Sequence, residues 1–331
     1  MISDETVLPA SILAAAVPTL FFVALIYWVD RYEKEPLWLL GATFLWGAIP
    51  SIIIAFIFNT VLSIPVYLLV SGPAGDALAG SLIAPPVEET VKGLAILGIL
   101  LLWRHEIDSV LDGIIYGAMV GMGFAMVENV YYFVNVFNAG GAEAWSVNVF
   151  MRAVVFGLNH ALFSSMTGLG LAIGRLAKGG FVRLAAPLAG WFAAMFLHFV
   201  HNLMVSFNNA LCLVALLFDW GGLLLIGLII IWALRQEREW LRTLLAEEVA
   251  LGTLTQSQYD SVLSGRARTR ARLRTLFTQG PAAYSRAGQF HHRCSKLAYN
   301  KHHFAMFGDT KSAGFITQLR DEISALSRQL A

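Results

Sequence analysis

Apolar residues dominate the first 234 positions, in runs long enough to cross a bilayer. Seven runs meet the roughly 20 residues that a spanning helix needs: residues 8–29, 37–59, 80–103, 109–137, 149–174, 184–207 and 211–234. Residues 60–72 are too few to span, so they either lengthen the second helix or lie at the membrane interface. Beyond residue 235 the pattern changes. Trp240, Leu241, Leu244, Leu245 and Val249 recur at helical spacing. Arg266, Arg268, Arg270, Arg272 and Arg274 then form a basic run that suits either anionic lipid or plain solvent. The expected fold is all-α: a polytopic membrane bundle of about seven helices over residues 1–235, and a cytoplasmic, helical, basic tail over 236–331.

Composition agrees with the pattern. Of 331 residues, 57% are hydrophobic and only 14% charged, which excludes an ordinary soluble domain. The net charge of +1 hides an asymmetry, since residues 235–331 hold 15 of the 23 Lys and Arg but 8 of the 22 Asp and Glu. Lys and Arg follow spans 1, 3, 5 and 7, and are nearly absent after spans 2, 4 and 6. The positive-inside rule therefore puts the N-terminus outside and the tail in the cytoplasm. The N-terminus has no basic region or small-residue cleavage site, so no signal peptide is expected. Cys212 and Cys294 fall in different compartments, which argues against a disulfide, and the pairs His291-His292 and His302-His303 read as surface residues.

Four of the spans carry side chains that lipid tolerates poorly: Glu88, Glu89 and Lys92; Glu128 and Asn129; Asn159 and His160; His198, His201 and Asn202. At 1.5 Å per residue, with spans 3 to 6 alternating in direction, Glu88, Glu128, His160 and His198 all lie roughly 12–17 Å below the outer surface. Antiparallel neighbours need not share a depth, so this agreement points to one buried site opening outward.

The local spacing adds detail. Glu88 and Glu89 follow Pro85-Pro86 and lie within one turn of Lys92, a crowding that should leave one carboxyl able to take a proton. Gly113, Gly117 and Gly121 form a stripe that leads through Phe124 to Glu128, facing a helix and not lipid. Arg152, Phe156, His160, Ser164 and Gly168 stand at four-residue steps and would share one face of a single helix. His198 and Asn202 stack at i and i+4 and suit an oxyanion site, while His201 either joins them or bonds elsewhere. Asp219 reads as structural, and Asp112 as either interfacial or a cap.

These motifs together resemble the PrsW family of intramembrane glutamic proteases. The resemblance rests on Glu88-Glu89-xx-Lys92, Gly123-Phe124-Ala125-xx-Glu128-Asn129, Arg152 followed by His160, His198-xxx-Asn202 and the early Asp30-Arg31-Tyr32-Glu33-Lys34-Glu35-Pro36, over roughly residues 10–235. More distant relatives are the prenyl-protein and bacteriocin-processing membrane proteases, which have a histidine where Glu128 stands. The resemblance implies hydrolysis of single-span or membrane-attached proteins; the family's namesake acts in the first cleavage of a membrane-bound anti-sigma factor.

The expected mechanism needs no cofactor. Glu88, helped by Glu89, would deprotonate a water, His160 would orient that water or pass a proton, His198 and Asn202 would hold the oxyanion, and Glu128 would position the second histidine or share the acid role. Lys92, Asn129 and Arg152 would support them. The alternatives are a zinc protease using Glu128, His160 and His198, a proton-coupled transporter, and a scaffold whose tail binds a partner. A transporter lacks support from any inverted repeat, and the polar residues cluster at one depth. The expected partners are the bilayer and a membrane protein substrate, with no nucleic acid.

Overall fold

The computed structural model describes residues 3–207, 210–308 and 310–330, and among these every regular element is a helix. In chain order the α-helices are α1 Val7–Val29, α2 Leu37–Trp46, α3 Ile52–Leu69, α4 Pro73–Leu78, α5 Ala84–Leu102, α6 Val110–Val149, α7 Asn159–Leu176, α8 Gly180–Val205, α9 Ala210–Leu244, α10 Ala246–Ala250, α11 Gln256–Val262, α12 Gly265–Gln279, α13 Pro281–Phe307 and α14 Thr310–Leu330. Wider π-helical turns join α2 to α3 (Gly47–Ser51), α4 to α5 (Ala79–Ile83) and α6 to the loop before α7 (Phe150–Val155). Residues 60–69 continue α3, so the ambiguous segment lengthens the second helix.

Among the described residues, five helical runs are long and apolar enough to cross a membrane: Val7–Val29, Leu37–Leu69, Val110–Leu176, Gly180–Val205 and Leu211–Ala250. The run Val110–Leu176 has 67 residues, about three times what one crossing needs. It folds back on itself. Helix α6 breaks at Gly141, whose φ of 73° is left-handed, and the chain turns again at residues 156–158 before α7. Helix α5 is apolar but carries Glu88, Glu89 and Lys92.

Small residues set how closely these helices approach. A Cβ on Gly113, Gly117 or Gly121 would strike the backbone of Gly168, Ser164 or His160 respectively. The partner numbers fall as the glycine numbers rise, so α6 and α7 lie antiparallel with their backbones in contact. Gly170 and Gly190 do the same for α7 and α8, and Gly47 and Gly123 bring the first π-turn against α6. Ser109 caps α6, its hydroxyl accepting from Leu111 and Asp112 N–H while the Asp112 carboxylate accepts from Ser109 N–H at 2.6 Å. Asp112 is thus a cap.

The chain divides into two compact units: residues 1–29 with 35–229, and residues 30–34 with 230–331. In the second unit, Tyr32 packs in an apolar core with Leu241, Leu245, Leu254, Val262, Phe290, Cys294 and Leu297. Arg268 is buried there and donates to Val262 O at 2.8 Å, Tyr32 O at 2.7 Å and Ser295 Oγ at 2.9 Å. Part of the basic run is therefore internal. His291 is not a surface residue either: it is 5% exposed and 3.2 Å from Ser261 Oγ, and His302 stacks on Trp240 at 4.0 Å. Both cysteines are free thiols.

Candidate active site

Helix α5 starts on a proline pair, which suits a first turn because the missing N–H has no helical partner there. One turn later Glu88 and Glu89 enter the bundle interior, and both are buried. Adjacent on the helix, they point to different neighbours. Glu89 is enclosed: Lys92 Nζ pairs with one oxygen, Ser164 Oγ donates to the other at 3.0 Å, and His198 Nδ1 lies 2.9 Å away. Glu88 is less satisfied. Asn59 Nδ2 of α3 donates to Oε1 at 3.2 Å, and the buried Oε2 has no hydrogen-bond donor.

His198 links the two carboxylates. Its Nδ1 faces Glu89, and its Nε2 stands 3.9 Å from Glu88 Oε2. Phe163 of α7 stacks flat on the ring at 4.9 Å. A proton on Nδ1, donated to Glu89, leaves a lone pair on Nε2. Nε2 and Glu88 Oε2 are then two buried acceptors facing one another. That arrangement favours a proton donor or a cation between them.

His160, near the start of α7, closes the cluster. Its ring centroid is 5.2 Å from that of His198, in a perpendicular arrangement. Nε2 lies 3.0 Å from Glu128 Oε2 and Nδ1 lies 3.3 Å from Lys92 Nζ. Lys92 also sits over the Phe124 ring at 4.4 Å. Glu128 is held in turn by Arg152 Nη2 at 2.5 Å, while Arg152 Nε donates to Asn129 Oδ1 at 2.9 Å and its guanidinium lies over Tyr132 at 3.9 Å.

Two expected arrangements differ in the structure. Arg152 and His160 do not lie on one continuous helix, because the π-turn Phe150–Val155 and the turn at 156–158 intervene. Arg152 meets the cluster through Glu128 instead. Asn202 is spent elsewhere: its amide donates to Gly80 O at 2.8 Å, in the π-turn before α5. A wide turn redirects backbone carbonyls out of the helical ladder, and a side chain takes one up.

His201 forms a second polar group beside the first. Its Nδ1 is 2.7 Å from Asp219 Oδ2 of α9, and Asn159 Nδ2 donates to the same oxygen at 2.9 Å. Asp219 is fully buried and ties α9 to α7 and α8. Asn59, Phe163 and Ser164 complete the surroundings of the carboxylates; Asn59 is the one that an amide inside an apolar run could have signalled.

Glu88, His160 and His198 can each offer a ligand atom, all within 4.8 Å of one another. Two imidazoles and a carboxylate form a donor set that zinc accepts. Glu89 on His198 and Glu128 on His160 are the outer carboxylates that orient metal-binding histidines elsewhere. In this set Glu88 takes the place expected of Glu128, which is occupied by Arg152 and His160.

These features describe a polytopic helical membrane protein with a carboxylate–imidazole site closed inside it. Residues 35–251 match the family described as PrsW family intramembrane metalloprotease, and since they make up most of the chain, the protein belongs to that family. It is similar to Protease PrsW of Clostridioides difficile (strain 630) and to Protease PrsW of Geobacillus kaustophilus (strain HTA426). Each is 33% identical over 156 residues, which cover 47% of this chain and 62% of the relative. Protease PrsW of Bacillus subtilis (strain 168) is 29% identical over 168 residues, 50% of this chain and 69% of the relative. The match thus spans less than two thirds of the first two relatives. No solved structure matches the chain.

Proposed function

We propose that the protein is an intramembrane endopeptidase that hydrolyses a peptide bond of a single-span or membrane-attached protein near the outer face of the membrane. The carrying observation is the convergence of Glu88 Oε2, His160 and His198 inside a helical bundle, with Glu88 Oε2 lacking a donor. A hydrolase needs a base and a proton carrier next to a place for water, in surroundings that otherwise exclude it.

The residues divide the work. Glu89 holds His198 in the tautomer that leaves Nε2 open, and Glu128, braced by Arg152, engages His160 Nε2, which leaves Nδ1 as that ring's other nitrogen, facing Lys92. Glu88 Oε2 and His198 Nε2 are the atoms placed to take a proton from water and to return one to the leaving amine. Lys92 pairs with Glu89 and so places a counter-charge beside the two adjacent carboxylates. In the metal-held alternative Glu88, His160 and His198 would instead be ligands to a zinc-type ion, whose chemistry is to acidify a bound water and polarise the substrate carbonyl.

A metal-free glutamate mechanism has one observation in its favour. Lys92 Nζ already brings a cation within 3.3 Å of His160 Nδ1, and a second cation would have to tolerate it. Purified protein in lipid, given a single-span substrate, separates the two. A stoichiometric metal, with cleavage lost on chelation and restored by zinc, supports the metal-held site. Cleavage that persists after the metal is stripped supports the glutamate site. No cleavage of any membrane-anchored peptide library would set the peptidase reading aside. An anti-sigma-like protein is the first substrate to try.

A further inference from the structure

Helix α12 presents two faces of opposite use. Arg268 and Arg272 turn inward: Arg268 is buried under three hydrogen bonds, and Arg272 lies over Tyr284 at 4.2 Å. Arg266, Arg270 and Arg274 are exposed on the other side. At 100° per residue, Leu273 and Phe277 fall within the same arc of about 100° as these three. Phe277 is 84% exposed and Leu273 42%. The helix carries five arginines and no acid.

We propose that this face of α12 docks on the anionic headgroups of the bilayer from which the tail emerges. The arginines would pair with lipid phosphate and carboxylate, and Phe277 and Leu273 would enter the interface. Three observations argue for lipid over a soluble acidic partner. The exposed arginines form a cluster free of acids that follows a candidate membrane span in the chain, and such clusters favour anionic headgroups. A phenylalanine left almost wholly in water is costly, and lipid covers it without a shaped pocket. The chain also leaves the candidate span Leu211–Ala250 and enters α12 at Gly265, so a membrane surface is never far along the chain. Each arginine near an anionic surface multiplies docking by about fivefold, so three give about 100-fold. The inference does not depend on the peptidase reading.

The test uses the full chain in nanodiscs of phosphatidylcholine, with or without phosphatidylserine, and reads amide exchange over residues 265–279. Docking predicts exchange slowed about tenfold or more in the anionic discs at low salt, and reversed by high salt as headgroup attraction is screened. The triple variant Arg266→Gln/Arg270→Gln/Arg274→Gln should lose this protection, and Phe277→Ala should weaken it. Unchanged exchange over 281–307 shows that the tail of each variant still folds. Exchange independent of phosphatidylserine would overturn the proposal. So would equal protection in phosphatidylcholine discs by added polyglutamate or DNA, which would make the partner an acidic macromolecule.

Discussion

His198 separates two adjacent glutamates: Nδ1 is 2.9 Å from Glu89, and Nε2 faces the donor-free oxygen of Glu88 at 3.9 Å. The pair therefore should not respond alike to mutation. Glu88→Gln keeps the shape and its contact with Asn59 but removes the proton acceptor, so turnover should fall below detection while the thermal midpoint moves little. Glu89→Gln strips the partner from Lys92, which is fully buried. Breaking a buried pair in this way costs about 3–5 kcal/mol, so this variant should lose both activity and folded protein. Melting curves and single-turnover cleavage of the two variants check the division; equal stability would mean that Glu89 does not hold the fold.

The backbone contact between α6 and α7 makes Gly121 a sensitive position. A Cβ there meets the carbonyl of His160 itself. Gly121→Ala should push the start of α7 away, cost about 1–3 kcal/mol through overpacking, and slow cleavage well beyond what that stability loss explains. The comparison is with Gly98→Ala on α5, where a Cβ meets nothing within 4 Å. If both variants cleave alike, the helix spacing does not set the position of His160.

How far the chain itself discloses this arrangement depends on the kind of signal. Glu88, Glu128, His160 and His198 stand out because charge and imidazole are rare in apolar runs, and their shared depth follows from helix rise alone. The all-helical fold follows from run length. Where helices change pitch is a different matter. Nothing in Phe150–Val155 announces a π-turn, so the four-residue register from Arg152 to His160 looks continuous when it is not. The partner of Asn202 is a backbone carbonyl, at Gly80, which no side chain reveals. Tyr32 and Arg268 are 236 positions apart, a pairing that local pattern cannot carry. His291 looks like a surface residue because its neighbours in sequence, His292 and Arg293, are polar, while its contact with Ser261 lies 30 positions away.

The tail should be acid-sensitive through His291. Burial, with Arg268 and Arg272 adding, pushes this histidine down to about 3, and His292 moves the same way, to about 4. An unfolded histidine binds its proton near 6.5. The stabilising contribution is thus complete above about 6.5 and is lost as pH falls towards 3, at about 1.4 kcal/mol per unit for each histidine. Between pH 6.5 and 5, amide exchange over 281–307 should speed up, and His291→Gln should remove part of that acceleration. An exchange profile flat over this range, after correction for intrinsic rates, would contradict the burial of His291.

Asn202 offers the sharpest contrast between a catalytic and a holding role. Its spacing from His198 suits an oxyanion donor, and such a donor is worth about 10²–10³ in kcat. The structure instead spends the amide on Gly80 O at 2.8 Å. That bond ties α8 to the wide turn before α5, just upstream of Glu88. Removing it leaves a carbonyl without its donor, at about 1–3 kcal/mol. Asn202→Ala should therefore melt lower, while the fraction that folds keeps kcat within a few-fold. Substrate binding should change little, because the amide is engaged by Gly80 O. Measuring turnover per folded molecule beside the thermal midpoint decides it. A kcat loss of 10² or more at an unchanged midpoint would return Asn202 to the reacting centre, and would mean that its bond to Gly80 opens when substrate binds.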